Sequence, residues 1–385
     1  MHRHRLVRSL VLIGIILLQC FAVAQESGPA VPDLQISLPD RLKVFDKLWE
    51  KVNKYFFDPK FNGVNWAQMK EKYRPLAEAA TNKAELLDVL QKMVGELHAS
   101  HMGVRGDFRF PPYGTGASYV QLEEKWLVGG VAPGSPAQLA GIERGWILTS
   151  ADGECTASRT KVALKFLDLR EQTQSLDLPC ATHQPMPAPV GSVRPLENGA
   201  VYLRLTSFTP EPAKWLADQV TRNKSAKAIV LDLRGNSGGS TESQMKVFEL
   251  FFSSKAVFGK FRFQTGKEYT LKTGGSKSAY RGRMLVLTDH FTQSAAEVFA
   301  MAIQETGRGV VVGQHSNGGV LLGNHFKLPN GFDLHIAVAD FYTAKGIRLE
   351  GRGVIPDVPV APTAKDFREN KDTVLVRVNQ LLQLP

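Results

Sequence analysis

The sequence predicts a multidomain α/β protein in three parts: an N-terminal helical unit over residues 37–110, a β-rich insert over 115–190, and an α/β core of βαβ units over 195–385. Three observations predict it. Apolar residues recur at three- and four-residue spacing from Arg41 to about Glu96. A Pro/Gly-rich stretch then interrupts the pattern. Beyond Gly199, apolar strand-like runs alternate with helical ones, as βαβ units require.

Ahead of these parts, His2, Arg3, His4, Arg5 and Arg8 precede an apolar run from Leu10 to Leu18, and Ala22-Val23-Ala24 stands directly before Gln25. A charged start, a short apolar run and an A-x-A end read as a Sec-type signal peptide over residues 1–24, cleaved after Ala24. The run is too short for a permanent membrane-spanning helix. Lipidation at Cys20 is the rival reading, but Gln19 stands where that signal would place a small residue. A periplasmic or secreted location is therefore expected. Residues 25–36 contain Pro and Ser without periodicity and read as a disordered leader.

Removing the leader leaves roughly 360 residues, enough for two or three units. The chain carries +10, of which three leader arginines supply +3, and the remaining +7 is spread without a block of five like charges. Nothing in this supports nucleic-acid binding. Peripheral attraction to an anionic membrane surface or to acidic peptides stays open, as does a homo-oligomer. Cys155 and Cys180 survive cleavage; 25 positions apart in an oxidising compartment, they can form one disulfide or remain two buried thiols. Neither has a C-x-x-C neighbour, and no metal or organic cofactor is called for.

In the helical unit, Leu42, Val44, Phe45, Leu48, Trp49, Val52 and Tyr55 mark one buried face, and Trp66–Ala80 and Ala84–Leu97 repeat the pattern. Three helices are expected, ending at His98-Ala99-Ser100-His101. Pro111, Pro112, Gly114 and Gly116 then mark a boundary. A strand over Trp126–Val131, the run Pro133–Ile142, the strand start Gly145-Trp146-Ile147-Leu148 and an Asp152-Gly153 turn follow. That order resembles a PDZ domain from Ala117 to about Ala188, and the resemblance implies a module that takes a peptide as an added strand at an open sheet edge. The usual carboxylate-binding loop of such domains is not evident here. Pro185–Pro189 reads as the start of a linker.

Strands are expected at Ala200–Leu205, Ala228–Leu233, Arg283–Leu287 and Gly309–Gly313, with further candidates at His335–Phe341 and Val358. Helices are expected at Pro212–Arg222, Glu242–Phe252, Ser294–Thr306 and Asp366–Leu382. This is the pattern of a largely parallel sheet buried on both faces.

The chemistry gathers after these strands, where α/β folds place ligands. The first strand end is the turn Leu231-Asp232-Leu233-Arg234-Gly235-Asn236-Ser237-Gly238-Gly239, which can present backbone amides to an anion or oxyanion but lacks a P-loop lysine. The second presents Ser294 at a helix start. By itself such a serine is more often a helix cap, and Glu297 three residues on fits a capping box. A nucleophile needs the same place, since a helix N-terminus stabilises negative charge. The third is Glu350-Gly351-Arg352-Gly353-Val354-Ile355-Pro356-Asp357.

Taken in order, "DLRGNSGG", "SAAE" and "G-V-x-P-D" behind a helical unit and a PDZ-like insert resemble the tail-specific, or C-terminal-processing, serine peptidase family, which also includes the tricorn core protease and the interphotoreceptor retinoid-binding repeats. The resemblance implies a ClpP/crotonase-like sheet and polypeptide hydrolysis, with Ser294 as nucleophile and the Ala295 amide and an amide of the Gly238-Gly239 pair as oxyanion donors. One departure matters. Where many members carry a lysine base, the segment Val311–Gly319 places Gly319. The tricorn-like branch uses histidine in an "SH" pair, which Ser100-His101 fits, and a glutamate, which Glu350 fits. The implied relay runs from Glu350 through Ser100 and His101 to Ser294, with His98, His290 and His315 as weaker rivals for the base. A serine hydroxyl needs such a base within hydrogen-bond reach. The alternative function on the same scaffold is non-catalytic peptide or lipid binding.

Overall fold

The computed structural model describes residues 34–107, 113–155, 160–182 and 189–383. The expected signal peptide, most of the leader, Pro111, Pro112 and residues 185–188 of the expected linker lie outside the described residues. Among the described residues no helix is long and apolar enough to cross a membrane.

Helix α1 (Leu38–Tyr55) starts at Ser37, whose hydroxyl accepts the Asp40 N–H, and Pro39 sits in the first turn, where a missing N–H costs nothing. Asn65 and Asn82 cap α2 (Trp66–Ala79) and α3 (Lys83–Gly95) in the same way. The buried faces of the three helices do not close a core of their own. Val44, Phe45, Leu48, Val52, Leu86 and Leu90 join Phe332, Leu334, Ile336 and Ala337 from far along the chain in one apolar cluster. Strand β1 (Gly103–Gly106) follows and pairs with that distant segment.

The insert comprises β2 (Tyr113–Gly114), β3 (Ala117–Leu122), β4 (Lys125–Val131), a single-turn α4 (Pro136–Leu139), β5 (Ile147–Ala151), β6 (Lys161–Leu167), β7 (Thr173–Pro179) and β8 (Ala181–Thr182). Strands β3 to β7 form an antiparallel sheet in sequence order, and β2 pairs with β8. Its core is Val128, Ala137, Ile142, Trp146, Val162, Leu164, Phe166 and Leu178. The sulfurs of Cys155 and Cys180 are at bonding distance, 2.05 Å.

The chain then builds a six-stranded sheet and a five-stranded one. Strands β9 (Gly191–Pro195), β10 (Ala200–Leu205) and β11 (Ala228–Asp232) come with α5 (Pro210–Arg222) between the last two. After α6 (Thr241–Glu249), the hairpin β12 (Ala256–Phe263) and β13 (Glu268–Thr273) leads to β14 (Arg283–Thr288), α7 (Ala295–Glu305) and β15 (Val310–Gly313). Strands β16 (Leu322–Lys327), β17 (Phe332–Thr343) and β18 (Val358–Pro359) precede α8 (Ala364–Arg368) and α9 (Thr373–Gln383). The six-stranded sheet runs β18-β15-β14-β11-β10-β9, parallel except where β9 meets β10. Alternation along its strands divides the two faces: Leu203, Ile229, Leu231 and Val286 join one cluster, while Tyr202, Val230, Leu285 and Val312 pack against Val374 and Val378 of α9.

The second sheet (β1-β17-β12-β13, with β16 also on β17) is antiparallel and was not anticipated beyond β17. Strands β13 and β16 are largely exposed and lack an apolar alternation long enough to signal a strand. The expected closing helix over 366–382 is instead two helices, because Asn370 adopts φ +55° and Asp372 is drawn to Arg234 at 2.8–2.9 Å while also accepting the Leu375 N–H. Helix α7 is buried from Ala295 to Ile303 and contacts β14 and β15 of one sheet and β17 of the other.

The insert docks onto α8: Leu127, Ile147 and Ala364 share a cluster with Phe367, and the Arg144 guanidinium sits 3.7 Å from the Phe367 ring centroid. Opening the 155–180 crosslink with a reductant should lower insert stability by about 3 kcal/mol, from the loop it closes. Thermal unfolding with and without dithiothreitol checks this, with the Cys155→Ser/Cys180→Ser double variant insensitive to the reagent.

Candidate active site

Ser294 sits between β14 and α7 with φ +58° and ψ −123°, a backbone region that non-glycine residues rarely adopt. Tertiary contacts hold it there. Its N–H is shared between Glu297 Oε2 and the Gly319 carbonyl, each at 3.0 Å. Gly238 packs so close that a Cβ on it would lie 2.7 Å from the Ser294 Cβ and 3.0 Å from the Ala295 nitrogen. Only glycine fits this approach, at φ +97°.

The structure brings Ser294 together with three residues from opposite ends of the chain. Ser294 Oγ lies 2.9 Å from His101 Nε2. His101 Nδ1 lies 3.0 Å from Ser100 Oγ, and Ser100 Oγ donates to Glu350 Oε2 at 3.0 Å. The carboxylate can only accept, so the Ser100 hydroxyl proton points to Glu350 and its oxygen is free to accept from His101 Nδ1–H. This tautomer leaves Nε2 as an acceptor facing Ser294. Glu350 also accepts the N–H groups of Ser100 (3.1 Å), Val320 (2.7 Å) and Leu321 (3.2 Å), which orient it. Burial pushes the His101 imidazole below its ordinary range, and the Glu350 charge partly opposes this.

Of the glycine pair, Gly238 donates its N–H to Asn236 Oδ1 at 2.9 Å. The N–H groups of Gly239 and Ala295 have no acceptor among the described residues, and both residues line the cavity of about 600 Å³ onto which Ser294 opens. Gly319 stands beside Gln293, where even a Cβ would come within 2.6 Å of the side-chain amide. His98 is exposed at the end of the helical segment, while the exposed His290 packs at a tilt against Phe291, and neither makes a hydrogen bond to Ser294. His315 is likewise exposed and makes none.

Two supporting residues were read too weakly or missed. Glu297, expected as part of a helix cap, is fully buried and accepts four hydrogen bonds: from Ser294 N, Gly319 N, Gly318 N (2.6 Å) and Ser316 Oγ (2.5 Å). Burial raises its pKa, against the pull of those donors. Asn236 was not singled out. It is buried, donates to the Leu205 carbonyl at 2.9 Å, and its own carbonyl accepts the Gln293 N–H at 2.9 Å. Both roles depend on partners far away in sequence.

Glu297→Ala should leave the Ser294, Gly318 and Gly319 amides without this acceptor and cost at least about 3 kcal/mol. Urea unfolding measures the loss, and Glu297→Gln, which retains one carbonyl acceptor, should lose less.

Over residues 199–360 the chain matches the model of peptidase family S41, and over 39–95 that of the Tricorn protease C1 domain. It is 25% identical over 375 residues to a tricorn protease homolog of Streptomyces coelicolor, covering 86% of this chain and 31% of that relative. It is 25% identical over 389 residues to a carboxyl-terminal-processing protease of Synechocystis sp., covering 91% and 88% respectively. Among solved structures, the photosystem II D1 C-terminal processing protease superposes with a TM-score of 0.60 at 21% identity, over 89% of this chain and 97% of that one. Mature CPAF complexed with lactacystin gives 0.71 at 14%, over 90% and 98%. The structural likenesses carry the fold, while the two domain matches fall on the α/β core and on the helices. The chain accordingly carries a peptidase family S41 domain over residues 199–360 behind a Tricorn protease C1 domain over 39–95, and with these it is a serine-type peptidase.

Proposed function

We propose that this peptidase is an exported endopeptidase that cleaves exposed or unfolded polypeptide segments through an acyl-enzyme on Ser294, with His101 as its base. The observation that carries this reading is the unbroken run of hydrogen bonds from Glu350 through Ser100 and His101 to Ser294 Oγ, each step 2.9–3.0 Å. In the reaction, Ser294 Oγ attacks the scissile carbonyl carbon while its proton passes to His101 Nε2. The imidazolium that forms keeps Nδ1–H on Ser100, whose hydroxyl remains on the Glu350 carboxylate, so the charge is balanced through one hydroxyl. The Gly239 and Ala295 amides are free to take the developing oxyanion, and the positive end of α7 adds to them. His101 then returns its proton to the leaving amine, and water repeats the cycle on the acyl-enzyme.

The glycine at 319 disfavours a Ser–Lys arrangement, and we read the site as one of the histidine-using, tricorn-like kind. Export rests on the signal-like residues 1–24 and accords with the joined Cys155 and Cys180. We read the insert as PDZ-like, on its antiparallel sheet and short α4, and assign it substrate docking.

Ser294→Ala should abolish casein cleavage, with a loss of roughly a thousandfold or more in kcat; a variant that cuts as fast as wild type removes Ser294 as nucleophile. The base must be neutral, and burial lowers its pKa, so the acid limb of kcat/KM should fall below the ordinary imidazole value of about 6.5. The Glu350 charge raises that pKa, so Glu350→Gln should move the limb to still lower pH while reducing kcat.

A further inference from the structure

Two titratable side chains on the cavity wall, His325 and His335, have no place in the mechanism above. His335, near the start of β17, lines the same cavity as Ser294 and His101. Its ring meets the His101 ring edge-on, with centroids 5.5 Å apart at 64°, and stacks on His325 at 4.4 Å and 8°. The sheet imposes this arrangement: His335 is directly opposite His325 on β16 and Gly103 on β1, two residues after His101. Side chains opposite one another in register share a face.

The ring is also held in one orientation. Its Nε2 edge lies over Gly323, itself on the cavity wall, and a Cβ at 323 would come within 1.9 Å of Nε2. Yet neither ring nitrogen makes a hydrogen bond to any described residue. The nearby carboxylate of Asp333 is engaged elsewhere, with His325 Nδ1 at 2.6 Å and Lys327 Nζ at 3.0 Å. A half-buried imidazole fixed on a cavity wall with its polar atoms unmatched is prepared for a ligand.

We propose that His335 is a substrate-contacting residue that hydrogen-bonds the main chain of the bound polypeptide next to the scissile bond. This rests on the reading of Ser294 and His101 given above. Burial, with His325, His101 and Arg105 nearby, lowers the His335 pKa to about 4, with Asp333 opposing. The ring is therefore neutral at neutral pH, offering one donor and one acceptor, which suits a peptide amide better than a charged side chain or terminus. A main-chain contact is also indifferent to substrate sequence, as cleavage of unfolded segments requires.

His335→Phe keeps the ring stack and removes both nitrogens. It should lower kcat/KM for a fluorogenic peptide roughly three- to tenfold, mainly through KM. The rate at which Ser294 is labelled by a small fluorophosphonate, which has no peptide main chain, should stay at the wild-type value. His335→Gln, which keeps a donor and an acceptor, should recover much of the loss. Gly323→Ala, which expels the ring, should reproduce the Phe phenotype and serves if His335→Phe does not fold. Labelling that falls in step with cleavage would mean that His335 acts only by positioning His101, and peptide cleavage unchanged in both variants would mean that it touches nothing; either result overturns the proposal. Wild-type protein that neither labels nor cleaves would remove the nucleophile assignment itself and this inference with it.

Discussion

The site is organised around the buried carboxylate of Glu297. It sits one turn into α7 and gathers Ser294, Ser316, Gly318 and Gly319 onto its two oxygens. The next two residues, Val320 and Leu321, donate to Glu350 instead. Two carboxylates therefore hold nearly every step of the loop from 316 to 321, one on the side of Ser294 and one on the side of Ser100 and His101. An unpaired carboxylate buried this deeply would be costly; with four donors it is a fixed junction between the parallel sheet and the relay.

That junction lets the backbone adopt conformations it would not choose alone. Ser294 at φ +58° and His101 at φ +57° each depart from the regions favoured by side-chain-bearing residues, at a cost of order 1–3 kcal/mol apiece. Around Ser294 the cost is met by Glu297, by the buried length of α7 and by Gly238, whose missing Cβ lets the glycine turn approach. Around His101 the restraint comes from Ser100, tied to Glu350 through both its amide and its hydroxyl. The result is a hydroxyl aimed at an imidazole across 2.9 Å, with two free amides beside it.

The helical segment and the second sheet complete the far wall. The helices have no closed core of their own and finish it on β17, so that the segment carrying His101 is fastened to the sheet carrying His335 and, through α7, to Ser294. A hydrogen-bonded relay drawn from residues 100 to 350 needs this sharing of cores, because separately folded units would allow relative motion larger than a hydrogen bond tolerates.

Much was legible from the chain alone. The three helices, the alternating strands of the parallel sheet and the α7 start follow from apolar period and capping residues, which act over a few positions. The candidate residues Ser294, His101, Ser100 and Glu350 were named from an ordered set of motifs, with Gly319 in the lysine's place. The antiparallel strands β13 and β16 were not, since they are mostly exposed and stabilised by pairing, which leaves little period to read. Nor were the break at Asn370, the hub role of Glu297, the separation of Gly238 from Gly239 by Asn236, or the stacked His325 and His335. Local propensity and motif order set which residues are present and which elements they form. Hydrogen bonds and ring contacts between residues up to 250 positions apart decided how they meet, because distance along the chain carries no record of distance in space.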